Sequence, residues 1–164
     1  TERRAVPAAP SPALLDVNVL VALFDPDHIH HDTAHDWFAD SREAGWATCP
    51  LTENGVVRIL SNPRYSPVAE PPARIVDRLR AFCASAHHVF WADDVSLQDD
   101  RRFVADAPVS YRQITDVYLL GLAKQHGGRL ATFDRTIPIA AVRGAALRDL
   151  VMISDVSTVD QHSS

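Results

Sequence analysis

Four acidic residues stand where a sheet-based catalytic site would need them. Asp16 ends an apolar run, Glu53 and Asp116 each fall in the first turn of an expected helix, and Asp134 follows a late apolar run. Carboxylates within about 4 Å repel by about 4 kcal/mol per pair at an effective dielectric near 20, so a cluster of them calls for a cation. Oxygen donors without matching histidine or cysteine favour Mg²⁺ or Mn²⁺ over zinc. An ion so held lowers the pKa of a bound water and acts as a Lewis acid. Each acid also has a plainer reading: Glu53 and Asp116 complement helix dipoles, and Asp134 caps the turn before Thr136. The residues leave both readings open one at a time; their shared placement favours the site.

That placement comes from the elements around them. Residues 13–23 are apolar except for Asp16 and Asn18, as expected for a buried parallel strand that turns directly into a helix over residues 19–24. Helices are expected over 30–41, 51–60, 74–84 and 114–126, the last stopped by Gly127-Gly128. Strands are expected over 46–49, 87–91, 129–133 and 150–153. Residues 93–107 read as loop with a short helix, and 136–143 as one more helix. Strands alternating with helices indicate a parallel sheet of four to five strands covered on both faces, an α/β/α sandwich. Right-handed crossovers bring every strand's carboxyl end to one edge, so Asp16, Glu53, Asp116 and Asp134 are expected to converge there.

The chain has 164 residues, 46% hydrophobic and 23% charged, which suits one domain over residues 13–153 with a flexible leader at 1–12 and a polar tail at 154–164. No run approaches the roughly 18 apolar residues of a membrane span, so a cytoplasmic protein is expected. Cys49 and Cys83 lack metal or redox spacing and read as reduced core thiols. A net charge of −5 argues against a general polyanion binder, although 15 of the 16 cations are Arg, which suits bidentate phosphate contacts.

The segments LLDVNVLVAL from residue 14, TENGVVRILSNPRY at 52–65, ITDVYLLGLA at 114–123 and LATFDRTIP at 130–138 together resemble a PIN-domain ribonuclease of the VapC toxin type. The resemblance implies a PIN-like fold, with Asp16, Glu53, Asp116 and Asp134 as the catalytic, metal-binding acids and Asn18 and Thr115 supporting them. It also implies Mg²⁺- or Mn²⁺-dependent endonucleolytic cleavage of RNA, a homodimer, and neutralisation by a small VapB-like antitoxin. Many members carry a further acid where Thr136 stands here.

Arg112, Arg135 and His31 are candidates to contact RNA. His31 and His35 have the i, i+4 spacing of a metal pair but no third ligand at fixed spacing, and Trp37, Trp46 and Trp91 read as packing residues. A phosphoaspartate phosphatase would show Asp-x-Asp where this chain has Asp16-x-Asn18, and a receiver domain would place a Lys after a late strand, not within a helix as Lys124 is. The standing alternatives are a catalytically silent RNA- or protein-binding module on the same fold and a metal-dependent DNA nuclease.

Overall fold

The first strand, β1 (Ala13–Leu15), carries no polar side chain, and the sheet buries all of it. Leu14 packs on one face with Ala47, Leu120 and Leu130, while Ala13 and Leu15 pack on the other with Leu20, Trp46 and Val56. Alternate residues thus enter opposite cores, as the period of a strand demands when both faces are covered. The structure is a computed structural model describing residues 11–155. Five parallel strands, β1, β2 (Trp46–Thr48), β3 (His88–Phe90), β4 (Arg129–Thr132) and β5 (Leu150–Met152), lie in the order β3-β2-β1-β4-β5.

One face is covered by α1 (Val17–Phe24), α2 (His31–Ser41), α3 (Pro50–Leu60) and α4 (Pro72–Cys83), through Val19, Phe38, Val56 and Leu79 among others. The other face is covered by α5 (Ile114–Gln125) with Trp91, Phe103 and Val142. The expected α/β/α sandwich therefore holds. α5 stops in a Schellman turn: Gly127 takes φ +71°, its N–H donates to Lys124 O, and Gly128 N–H donates to Ala123 O at 2.8 Å.

Two expectations are corrected. Residues 93–107 form turns without a helix and instead send Phe103 against Gly121 of α5 and into an antiparallel bridge with Val142. The helix expected over 136–143 shrinks to a 3₁₀ turn at Ile139–Ala141, because Pro138 lacks the N–H that a helix through it would need. The leader and tail lie largely outside the described residues; Pro12, next to β1, accepts from Arg129 N at 2.9 Å through its carbonyl. At the other end Thr33 donates to the Asp155 carboxylate.

Candidate active site

Asp16 is held in place by three hydrogen bonds to β4 and α1. Its N–H extends the ladder to Ala131 O of β4 at 3.1 Å, its carbonyl accepts from Leu20 N, and Oδ1 accepts from Val19 N at 3.0 Å, capping α1. The polar residue in the apolar run is thus where the chain leaves the sheet and a helix needs a cap. It is buried, at 2% exposure. Burial raises its pKa, and the Asp134 charge adds to the rise, while the Thr132 hydroxyl and the N–H groups of Val19 and Asn18 oppose it.

Thr132, the last residue of β4, also sets Asp134. Its Oγ1 accepts from Asp134 N at 3.0 Å, and Asp134 Oδ1 in turn accepts from both the N–H and the hydroxyl of Thr136 at 2.7 Å each. One carboxylate oxygen of Asp134 is therefore engaged by its own turn. The third acid, Asp116, comes from the first turn of α5. Desolvation, then the charges of Asp16 and Asp134, push its pKa up to about 7. Gln113 ties this helix start to the Asp134 turn, its Nε2 donating to Thr136 O at 3.1 Å.

Asp16, Asp116 and Asp134 are thus brought together, while Glu53 turns toward Thr48. Its Oε2 accepts from Thr48 Oγ1 at 2.6 Å, beside His88 and Cys83 on the β3 side of the sheet. The helix geometry explains this direction. Two residues along an α-helix turn by about 200°, and Gly55 is the position that meets the residue after Asp16: a Cβ there would lie 2.7 Å from Val17 Cγ2. Glu53 accordingly points the other way.

Asn18 and Thr115 are exposed, and Asn18 reaches Asp16 through its backbone N–H. His31 is committed elsewhere: Nδ1 donates to Ala22 O at 2.7 Å, and His35 Nε2 donates to Leu23 O at 3.0 Å, so the pair satisfies carbonyls at the end of α1. Arg135 is exposed beside Asp134. Arg112 lies over the ring of Tyr111, which is 80% exposed.

Residues 13–143 match the model of the PIN domain. The chain belongs to the PIN-domain family. It is 44% identical over 142 residues to Ribonuclease VapC44 of Mycobacterium tuberculosis (strain ATCC 25618 / H37Rv), an alignment covering 86% of this chain and 99% of that one. With Ribonuclease VapC38 of the same strain the identity is 52%, over 74% of this chain and 84% of that one. The fold matches the crystal structure of the M. tuberculosis VapC20 toxin, which cleaves the sarcin-ricin loop, with a TM-score of 0.56 at 14% identity, over 79% of this chain and 95% of that chain. The VapC toxin type read from the sequence is therefore the right branch of the PIN-domain family.

Sequence reasoning passed over Thr132, Gln113 and Tyr111. The first two act through hydrogen bonds between segments distant in the chain, which leave no local pattern. Tyr111, an aromatic three residues before a helix that carries a site acid, was open to notice. No described helix is long and apolar enough to cross a membrane.

Proposed function

We propose that this PIN domain is a metal-dependent endoribonuclease toxin whose site is built by Asp16, Asp116 and Asp134. The observation that carries the reading is the convergence of these three carboxylates at one edge of the sheet, where desolvation and then the charges of Asp16 and Asp134 push the Asp116 pKa up to about 7. A set of oxygen donors with excess negative charge fits Mg²⁺ or Mn²⁺. An ion held there supplies Lewis-acid activation of an attacking water and neutralises charge at the phosphodiester.

The chain's own residues prepare that chemistry. Val19 N–H and the Thr132 hydroxyl fix the orientation of Asp16, and Thr136 engages Oδ1 of Asp134, leaving Oδ2 as its free oxygen. Thr136 stands where many members of the family carry another acid, so the ligand set has one negative charge fewer. Exposed Arg135 and Arg112 would supply phosphate contacts, and exposed Tyr111 a face for an unstacked base of single-stranded RNA. RNA is favoured over DNA by the relatives, which are named ribonucleases. Homodimerisation and a small antitoxin belong to the same reading. An antitoxin arginine would be the charge-compatible occupant of the aspartate cluster.

Incubation of a mixed RNA pool with the protein tests the reading. Cleavage in Mg²⁺ or Mn²⁺ that stops in EDTA and is lost in Asp116→Asn is expected. RNA retention without cleavage would replace the enzyme by a binding module, and cleavage of DNA alone would replace the substrate. Sequencing the 5′ ends of fragments made by wild type and not by Asp16→Asn would identify the RNA.

A further inference from the structure

Arg129 opens β4 at the amino edge of the sheet. At about 3.3 Å per residue it lies about 10 Å from Thr132, on the edge opposite the aspartates. The residue is half-buried, and its Nε is fully buried without a hydrogen-bond partner among the described residues. Nor does it have an ion-pair partner among them. Buried donors are nearly always satisfied and buried cations nearly always paired, so this arginine lacks an acceptor. Two further cations share its recess. Lys124 comes from the last turn of α5 and Arg148 from the 3₁₀ turn Leu147–Asp149 before β5, and the recess they line has a volume of about 300 Å³. The one acid lining it, Asp149, is already engaged: its Oδ2 accepts from Ala146 N at 2.8 Å and from Lys124 Nζ at 3.3 Å. Three cations against one carboxylate make the recess positive, in a chain of net charge −5.

We propose that Lys124, Arg129 and Arg148 form a phosphate-binding site at the amino edge of the sheet, separate from the aspartate cluster. The donors decide the ligand. A guanidinium presents its N–H groups, Nε among them, in a planar fork that matches two oxygens of a phosphate. With no ion pair to break, Arg129 is free to turn that fork toward an anion in the recess. A phosphate that gives two oxygens to Arg129 keeps others for Arg148 and Lys124, whereas a carboxylate has only two in all. The volume stands at the lower end of small-molecule sites, so a phosphate group fits together with part of the ester that carries it. The mouth is open on the α5 side, where a Cβ at Gly127 would meet nothing within 4 Å. Because the three cations belong to three segments, an occupied site also ties the end of α5 to the starts of β4 and β5. The phosphate can be borne by a free phosphoester or by an RNA backbone, which present the same oxygens.

Inorganic phosphate is the first probe, added to the full chain in EDTA at constant ionic strength with chloride as the control. The readout is the arginine Nε–H resonance that Arg129→Lys removes from the NMR spectrum. A saturable shift of that resonance, with a rise in melting temperature that chloride does not give, is expected. Arg148→Ala, a change at an exposed side chain, should weaken phosphate binding about tenfold or more, and Asp116→Asn should bind phosphate as wild type does. The second probe is single-stranded RNA without a terminal phosphate, added to Asp116→Asn so that it is not cut. Displacement of phosphate at the same resonance would assign the site to an RNA backbone, and no displacement would assign it to a free phosphoester. An Arg129 resonance that phosphate leaves unmoved in folded wild type, or an affinity unchanged in Arg148→Ala, would overturn the site. Because phosphate binding is read without metal or turnover, it stands or falls independently of RNA cleavage.

Discussion

Desolvation and, after it, the Asp16 carboxylate raise the pKa of Asp116, although Asp16 ends the first strand and Asp116 begins the last α-helix. This burial and repulsion make the metal-free protein sensitive to pH in a defined window. The folded-state pKa of Asp116, about 7, lies above its unfolded value of 3.8, so between these values the native state holds more protons than the unfolded one. Its contribution is full below 3.8 and is lost as pH rises through about 7. Half-buried His28 and His88, whose pKa values are lowered by desolvation, act in the opposite sense on the acid side of 6.5. The difference between wild type and Asp116→Asn isolates the effect. In EDTA, the urea midpoint of wild type should fall relative to the variant as pH rises from 4 to 8. A difference that stays constant would remove the Asp16–Asp116 coupling.

A cation should reverse that loss. An ion binding only the native state adds about 2.7 kcal/mol at a hundredfold excess over its Kd, and each kcal/mol moves the melting temperature of a domain this size by roughly 2–4 °C. Wild type at pH 7 should therefore melt several degrees higher in Mn²⁺ than in EDTA. Asp16→Asn keeps an N-cap for α1, since asparagine caps as well as aspartate, and removes one charge from the cluster. It should melt higher than wild type in EDTA and respond less to Mn²⁺. A less stable variant with an undiminished Mn²⁺ response would mean that Asp16 only caps its helix.

The strands, the long helices and the three aspartates were legible because each leaves a local mark: an apolar run, a 3.6-residue stripe, or a polar residue at the end of a strand. The contact of Glu53 with Thr48 was not legible, because first-turn position specifies an edge of the sheet and not a direction around the helix. Only the approach of Gly55 to Val17 shows which face of α3 turns toward Asp16. The same limit hid Thr132 and Gln113, whose hydrogen bonds join β4, α5 and the Asp134 turn across distant segments. The histidines near residue 31 suggested ligands by their spacing, and the structure uses that spacing to reach two successive carbonyls at the end of α1.

His31→Ala separates packing from RNA contact. Removing the donor to Ala22 O should cost about 1 kcal/mol of stability and leave KM for RNA unchanged at a temperature where the variant is folded. Paired melting and cleavage kinetics read the two effects. An unchanged melting temperature with a raised KM would return His31 to the substrate.

Gly55 gives the sharpest mutational test of how α3 shapes the aspartate site. Replacing a helical glycine by alanine ordinarily gains about 1 kcal/mol, but a Cβ at position 55 would lie 2.7 and 2.9 Å from the two methyl carbons of Val17. Overpacking of this kind costs about 1–3 kcal/mol, so Gly55→Ala should be net destabilising. Val17 directly follows Asp16, so its displacement should also lower RNA cleavage by tenfold or more. Val17→Ala alone loses packing, yet in the Gly55→Ala background it removes the clash. The double variant should thus be more stable than the sum of the single effects, by about 0.5–3 kcal/mol, and should regain cleavage relative to Gly55→Ala. Strict additivity in a urea-denaturation cycle, or a Gly55→Ala protein as stable and active as wild type, would show that α3 does not bear on the Asp16 turn.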